Sequence, residues 1–158
     1  MTTATKVRTR AEAVAWRRAQ RGPVVFTNGV FDLLHRGHVD CLEAARGLGD
    51  ALVVGVNSDR SAELLAKGRG RPVVPGPDRA RLLAALAVVD CVVIFDEPTP
   101  LELVSALRPD VITKGSDYTH DTIVGADVVE AWGGRVEVLP LTPNQSTTRI
   151  MERIRATR

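Results

Sequence analysis

The sequence has few cysteines, few aromatic residues and no long apolar run, and each shortage excludes a class of protein. Two cysteines among 158 residues are too few for a disulfide-stabilised secreted scaffold. No run of about 18 apolar residues occurs, so no membrane-spanning helix is predicted. Residues 1–22 lack the apolar centre of a signal peptide. We therefore expect a cytoplasmic protein with Cys41 and Cys91 as reduced thiols in its core.

Charge of one sign is also scarce. The chain has 21 Lys and Arg against 19 Asp and Glu, a net charge of +2. The arginines are spread along the chain, whereas a nucleic-acid binder concentrates them in a basic patch. We therefore expect neither a nucleic acid nor a membrane as a partner. The length and the apolar content of 44% fit one domain with one core.

Short apolar segments alternate with helical segments along the chain. Strands are predicted at 24–27, 51–56, 91–95, 111–113 and 135–139. Helices are predicted at 39–47, 78–87, 101–107, 122–132 and 146–154, with a helical turn at 62–66. Most of the strands lack alternation of apolar and polar residues, as in a parallel sheet covered on both faces. The predicted fold class is therefore α/β: a Rossmann-like, doubly wound, five-stranded parallel sheet with helices on both faces.

Residues 9–21 predict an amphipathic helix that ends at Gly22 and Pro23. Its inner face would carry Ala11, Val14, Ala15 and Ala19. We interpret residues 1–22 as an N-terminal helical arm that packs on the domain or on a second subunit. Residues 23–158 then form a single domain.

Polar clusters follow four of the predicted strands. They are residues 28–38, 57–59, 114–118 and 144–149. In a doubly wound sheet, ligands bind beyond the carboxyl ends of the strands, where the strand order reverses. The sequence therefore predicts one site built from all four clusters.

His35 and His38 flank Gly37 directly before a predicted helix. A helix start attracts phosphate through its free N–H groups and its dipole. Imidazolium groups there would stabilise negative charge in a transition state. Two alternatives are ordinary surface or capping histidines, and a metal site completed by Asp32. No Cys or His partner at zinc spacing supports the metal site.

The segment GVFDLLHRGH resembles the HxGH signature of the cytidylyltransferase-like nucleotidyltransferases, with their preceding G-x-F-D, and QSTTRI resembles their second phosphate motif. The resemblance covers about residues 24–154 and marks 23–158 as a nucleotidyltransferase domain. It is greatest to members that adenylylate a heptose 1-phosphate, through FTNGVFDLLHRGH, LGDALVVGVNSD, GRPVVPGPDRARLL, VDCVVIFDEPTP, LRPDVITKGSDY and GGRVEVLPL. Members that use CTP and glycerol 3-phosphate share the histidine and Ser-Thr-Thr motifs and are the alternative.

The resemblance implies that a sugar phosphate oxygen attacks the α-phosphorus of ATP and that pyrophosphate leaves, giving ADP-heptose without a covalent intermediate. Mg²⁺ would be held mainly by the nucleotide phosphates, not by protein ligands. ATP and the sugar phosphate would be the small-molecule partners, and a homodimer is usual among similar enzymes.

The resemblance also assigns roles to residues. The expected catalytic residues are His35, His38, Lys67 and Arg79. The expected nucleotide-binding residues are Asn28, Gly29, Val30, Phe31, Lys114, Gly115, Ser146, Thr147 and Thr148, together with both histidines. The expected substrate-binding residues are Asp32, Asn57, Asp59, Arg79, Asp117 and Tyr118.

Each role has a plainer alternative. Lys67 could be a solvated loop lysine, Arg79 an exposed helix arginine paired with an acid, and Asn57 and Asp59 an ordinary turn. Asn144 and Gln145 depart from the glycine and small residue that relatives often carry before Ser-Thr-Thr, which weakens the prediction of the base. A binding module without turnover is a rival function. A dinucleotide-dependent oxidoreductase is disfavoured because the first turn lacks G-x-G-x-x-G.

Overall fold

A five-stranded parallel sheet forms the centre of the structure, a computed structural model that describes residues 2–65 and 70–157. The strands are β1 (Val24–Gly29), β2 (Ala51–Asn57), β3 (Cys91–Phe95), β4 (Val111–Gly115) and β5 (Arg135–Leu139). Their order is β3-β2-β1-β4-β5, and every neighbouring pair is parallel. The predicted α/β class is confirmed.

The helices cover both faces of the sheet. They are α1 (Arg10–Ala19), α2 (Arg36–Arg46), α3 (Asp59–Glu63), α4 (Gly76–Ala85), α5 (Leu101–Leu107), α6 (Ala126–Ala131) and α7 (Thr147–Ala156). Short 3₁₀ helices lie at Thr3–Lys6 and His120–Thr122. Across the two described ranges, no helix is long and apolar enough to cross a membrane.

Two apolar cores explain why the strands are continuous apolar runs. In β1, Val24 and Phe26 pack with residues of α1, α5 and α6 on one face. Val25 packs with Leu42 of α2 and Leu83 of α4 on the other face. Both faces of each central strand are therefore buried, as expected for a parallel sheet.

Helix α1 packs on the first of these cores, although not through the predicted face. Thr9 and Glu12 form a capping box at its start. Ala13 is fully buried, with Val14 and Trp16 against the same core. The prediction that Ala11, Ala15 and Ala19 face inward was wrong: Ala13, Val14 and Trp16 form the inward face, and those three alanines are exposed.

Other element boundaries also differ from the prediction. Helix α2 begins at Arg36, so His38 lies in its first turn. Helix α4 begins at Gly76, because a proline is tolerated in the first turn of a helix. Helix α6 begins only at Ala126, since the left-handed Gly125 separates it from the preceding 3₁₀ helix.

Two aspartates close the edge of the sheet where the strands begin, here called the amino edge. Asp110 Oδ2 accepts hydrogen bonds from the Val24 amide at 2.7 Å and from Arg17 Nη2 at 2.9 Å. Asp90 Oδ2 accepts from the Leu52 amide at 2.8 Å and from Arg46 Nε at 3.1 Å. Each carboxylate thus accepts a hydrogen bond from an amide near the start of a strand.

The opposite edge, here called the carboxyl edge, contains the point where the strand order reverses. From β1 the chain winds outward through β2 and β3, and it then returns to place β4 on the other side of β1. A crevice therefore opens between the ends of β1 and β4.

Candidate active site

A cleft of about 560 Å³ opens at the carboxyl edge between β1 and β4. It is lined by residues from the end of β1, the start of α2, the end of β4 and the start of α7. The predicted residues among them are Asn28, Gly29, Val30, Phe31, Asp32, His35, His38, Lys114, Gly115, Asp117, Tyr118, Ser146, Thr147 and Thr148. The structure thus brings three of the four predicted polar clusters together.

The two histidines stack at the start of α2. His35 is the N-cap residue and His38 lies in the first turn. Their ring centroids are 3.8 Å apart, and the rings are inclined by 22°. Burial lowers the pKa of His35, because desolvation disfavours the charged imidazolium. His35 Nδ1 is buried without a hydrogen-bond partner among the described residues.

Gly37 between the histidines allows α2 to approach the segment that leads into α7. A Cβ atom at this position would lie 2.9 Å from Cβ of Gln145 and 3.0 Å from Cε1 of His35. The first distance is shorter than real Cβ contacts and the second is tighter than most, so a side chain here would push the two segments apart. The glycine of the histidine motif therefore allows the close approach of α2 and the segment that leads into α7.

The start of α7 forms the opposite side of the cleft. Asn144 adopts a left-handed conformation with φ of 63°, so it replaces the expected glycine in the turn. The Ser146 hydroxyl caps the helix by accepting from the Arg149 amide. The Thr147 hydroxyl donates to the Asp32 carbonyl. Thr148 is exposed at the cleft, so its hydroxyl is the one placed to meet a ligand.

The third side of the cleft consists of Lys114, Asp117 and Tyr118. Lys114 Nζ donates to the Asn28 carbonyl at 2.9 Å and lies 4.8 Å from the centre of the Tyr118 ring. Burial, and secondarily the charge of Asp117, raises the pKa of Tyr118. The lysine therefore links the ends of β1 and β4 and carries its charge at the cleft wall.

Cys41 also lines the cleft, a position that the sequence did not predict. It was expected in the core with Cys91. The structure places only Cys91 there, with burial raising its pKa to about 11. Cys41 is half-buried, since it lies on the side of α2 that faces the cleft.

Arg79, Asn57 and Asp59 lie outside the cleft, beneath it. The Arg79 side chain is 0% exposed. It donates to the carbonyls of Val30, Asn57 and Val74, and to Asp59 Oδ1 at 2.7 Å. Asn57 is also buried and bonds to Ser61. In the structure these three residues make internal hydrogen bonds, and none of them lines the cleft.

Asp32 reaches the cleft, but its carboxylate is occupied. It accepts from the amides of Val73 at 2.9 Å and Val74 at 3.0 Å, and it pairs with Arg71 Nε at 3.2 Å. A carboxylate that already has two hydrogen bonds and an ion pair is a poor candidate for the third ligand of a two-histidine metal site. Within residues 2–65 and 70–157, no group of three His, Cys, Asp or Glu is placed to hold a metal ion.

Comparison with known proteins assigns the fold to a family. A family model described as cytidylyltransferase-like matches residues 26–156. The chain belongs to the cytidylyltransferase-like family. It is therefore an enzyme of the nucleotidyltransferase class, and the resemblance expected from the two motifs is confirmed.

Several relatives of this cytidylyltransferase-like chain carry the name Bifunctional protein HldE. The relative from Methylobacillus flagellatus is 55% identical over 139 residues, which is 88% of this chain and 28% of that protein. The relative from Acidiphilium cryptum is 59% identical over 145 residues, 91% of this chain and 29% of that protein. This chain thus spans less than a third of the length of these relatives.

Solved structures show the same architecture. The lipopolysaccharide core biosynthesis protein from Thermoplasma volcanium has a TM-score of 0.65 and 31% identity, covering 78% of this chain and 99% of that one. Pantoate-beta-alanine ligase from Francisella tularensis has a TM-score of 0.63 at 14% identity, covering 92% of this chain and 75% of that one. The second likeness concerns the fold alone.

Two basic residues of the cytidylyltransferase-like domain complete the comparison with the prediction. Lys67, expected to be catalytic, lies outside the described residues. Arg71 was not predicted, yet it lines the cleft with its side chain 14% exposed. The basic, glycine-rich character of residues 67–77 was the only signal in the sequence that pointed to it.

Proposed function

We propose that this chain transfers AMP from ATP to a heptose 1-phosphate, giving ADP-heptose and pyrophosphate. One observation carries the proposal: the histidine pair at the start of α2 and Ser146–Thr148 at the start of α7 line the same cleft. Two helix starts aimed at one space, with imidazole and hydroxyl donors, suit a triphosphate.

The two helix starts would bind different phosphates of the nucleotide. The histidines would donate to the oxygens of the α-phosphorus, where charge builds as the sugar phosphate attacks. Thr148 and the free amides of α7 would hold the β- and γ-phosphates, so that pyrophosphate leaves in line with the attack. Lys114 would add positive charge at the cleft wall.

The donor set fits a magnesium ion carried by the nucleotide. Mg²⁺ often binds through phosphates, water and one or two carboxylates instead of an all-protein cage. Asp117 is the cleft carboxylate for which the structure shows no hydrogen bond or ion pair with another described residue. It is thus the side chain that could hold an outer water of the ion. When bound, Mg²⁺ would neutralise phosphate charge.

The choice of heptose and ATP rests on the similarity to the HldE proteins and on the segments quoted above. The neighbour from Thermoplasma volcanium is named for lipopolysaccharide core biosynthesis, which agrees with a sugar nucleotide as product. CTP with glycerol 3-phosphate remains the competing pair.

The test measures pyrophosphate release for ATP, CTP, GTP and UTP, each with heptose 1-phosphate, other sugar 1-phosphates and glycerol 3-phosphate. We expect turnover with ATP and heptose 1-phosphate. Turnover only with CTP and glycerol 3-phosphate would contradict the proposal. Tight ATP binding without turnover of any pair would instead identify a binding module. The variant with both His35 and His38 changed to Ala serves as the inactive control.

We also propose that residues 1–22 act as an arm on the nucleotidyltransferase domain of residues 23–158, and that two copies form a homodimer in the cytoplasm. The packing of Ala13 on the core supports the arm. Light scattering on the full chain, and on a chain without residues 1–22, measures both the dimer and the role of the arm in it.

A further inference from the structure

Residues 30–33 form the turn between β1 and α2, and two charged residues fix it. We propose that Asp32 and Arg79 are positioning residues: they hold this turn so that the Phe31 ring keeps His38 in its catalytic place. The inference rests on the proposed nucleotidyl transfer. It differs from the roles expected from the sequence, in which both residues would touch substrate.

The turn has a backbone that would not persist unaided. Phe31 has φ of 52° and Leu33 has φ of 48°, both in the left-handed region that bulky residues rarely adopt. Such residues remain there only when the surrounding structure holds them, and they cluster at functional sites.

Asp32, between the two left-handed residues, is fixed at both its side chain and its main chain. Its side chain is 2% exposed, accepts hydrogen bonds from the Val73 and Val74 amides and forms an ion pair with Arg71 Nε. Its carbonyl accepts from Thr147 at the start of α7. The turn is thereby tied to both the 70–77 segment and the second phosphate motif.

Arg79 fixes the other side of Phe31. Its guanidinium donates to the Val30 carbonyl, to the Asn57 carbonyl at 2.9 Å and to the Val74 carbonyl at 2.8 Å. Val74 is also held by Asp32 through its amide. Asp32 and Arg79 therefore both bind Val74. Arg79 also binds Val30, so the residues directly before and after Phe31 are both held in place.

Phe31 transmits this position to the histidines. Its ring centroid lies 5.2 Å from that of His38 at an angle of 59°, and His38 in turn stacks on His35. A displacement of about 1 Å in a reacting group can cost about 100-fold in rate. Loosening the turn should therefore lower kcat without removing any contact with substrate.

The test uses Asp32→Asn, which keeps the size and one acceptor oxygen but loses the charge. We expect kcat to fall about 10-fold or more, with KM for both substrates within about twofold. The imidazole ¹H–¹⁵N signals of His35 and His38 should shift in the free protein. Phe31→Leu should reproduce both effects. Arg79→Lys, which cannot serve three carbonyls, should do the same if it folds.

Asp90→Asn is the matched control. Asp90 has the same kind of partners, a backbone amide and an arginine Nε, but it lies at the amino edge. Because Asn keeps an acceptor oxygen for the Leu52 amide, we expect it to lower the melting temperature only slightly and to leave kcat and the histidine signals unchanged.

The other outcomes overturn the inference in recognisable ways. A large rise in KM for Asp32→Asn with unchanged histidine signals would mean direct contact with substrate. A lower melting temperature with unchanged kcat and signals would mean a structural role only. If the wild-type chain shows no turnover, the proposed function fails; the positioning role is then decided by the signals of the free protein, and unshifted signals overturn it.

Discussion

At the amino edge, the carboxylates of Asp90 and Asp110 each accept from a strand amide and pair with an arginine. At the carboxyl edge, Asn28 Oδ1 and His35 Nδ1 are buried without a hydrogen-bond partner among the described residues. A buried polar atom without a partner costs about 1–3 kcal/mol. The two aspartates therefore stabilise the amino edge, whereas the unsatisfied buried atoms lower the stability of the carboxyl edge.

The difference shows what each edge is for. The aspartates of the amino edge contribute to stability through their bonds, whereas the unsatisfied atoms of the carboxyl edge lie beside the proposed site. The two classes of residue also differ in what their replacement should change: stability at the amino edge, and rate or affinity at the carboxyl edge. Replacements at the two edges test that separation.

Replacing His38 by Ala should lower kcat by at least about 100-fold, the scale of one lost transition-state donor. The melting temperature should change little, because His38 is only partly buried. Steady-state kinetics with ATP and heptose 1-phosphate measure the effect. The control is His120→Ala, which removes the one histidine outside the cleft. Near-normal turnover of His38→Ala would remove the histidine pair from the mechanism.

Replacing Asp110 by Ala should lower the free energy of unfolding by about 2 kcal/mol. The Val24 amide would lose its acceptor, and the partly exposed Arg17 pair adds little. Urea denaturation measures the loss, and kcat of the folded variant should be unchanged. Asp110→Asn, which keeps an acceptor oxygen, should recover most of the stability. A large drop in kcat for either variant would break the separation of the two edges.

Replacing Thr148 by Val should raise KM for the nucleotide about 10-fold, since one hydrogen bond to a charged phosphate contributes about 1.4 kcal/mol or more. The exposed hydroxyl takes no part in the capping bond of Ser146, so stability should not change. Thr157→Val, at the other end of α7, is the matched control. Equal KM values for the two variants would place the triphosphate elsewhere.

The smallest effects concern pH, and they have opposite signs for two histidines. Burial lowers the pKa of His35, so its contribution to stability is present above the unfolded value of about 6.5 and is lost as the pH falls. The hydrogen bond that the His120 ring donates to the Glu130 carboxylate raises the pKa of His120, so its contribution is present at low pH and is lost as the pH rises through the raised value. Urea midpoints of His35→Gln and His120→Gln across pH 5.5 to 8 should therefore diverge from wild type in opposite directions. Parallel curves would contradict both assignments.

The sequence predicted best those elements that have strong boundary signals. The bounds of α5 match because Pro100 and Pro109 limit it, and those of β5 match between Gly134 and Pro140. The cleft residues of β1, α2, β4 and α7 were predicted because strand ends in a parallel sheet share one edge.

The missed features depend on long-range contacts. Arg79 was expected to contact substrate, and nothing local in the sequence shows that three carbonyls and Asp59 surround it. Asp32 was expected to bind substrate, but its carboxylate binds Arg71, Val73 and Val74, which lie about 40 residues further along the chain. Arg71 was overlooked because its place at the cleft depends on that same carboxylate.

The strand order also determines when the site can come into existence. The histidines lie early in the chain, but β4 and the α7 helix start, which complete the cleft, are made much later. During synthesis, an emerging chain that has formed β1, β2 and β3 already contains the histidine motif without its partner wall. Contacts of such long sequence separation form late in folding. The proposed ATP binding therefore requires the completed fold, and a protease-trimmed or stalled chain that ends before residue 146 should not compete for ATP.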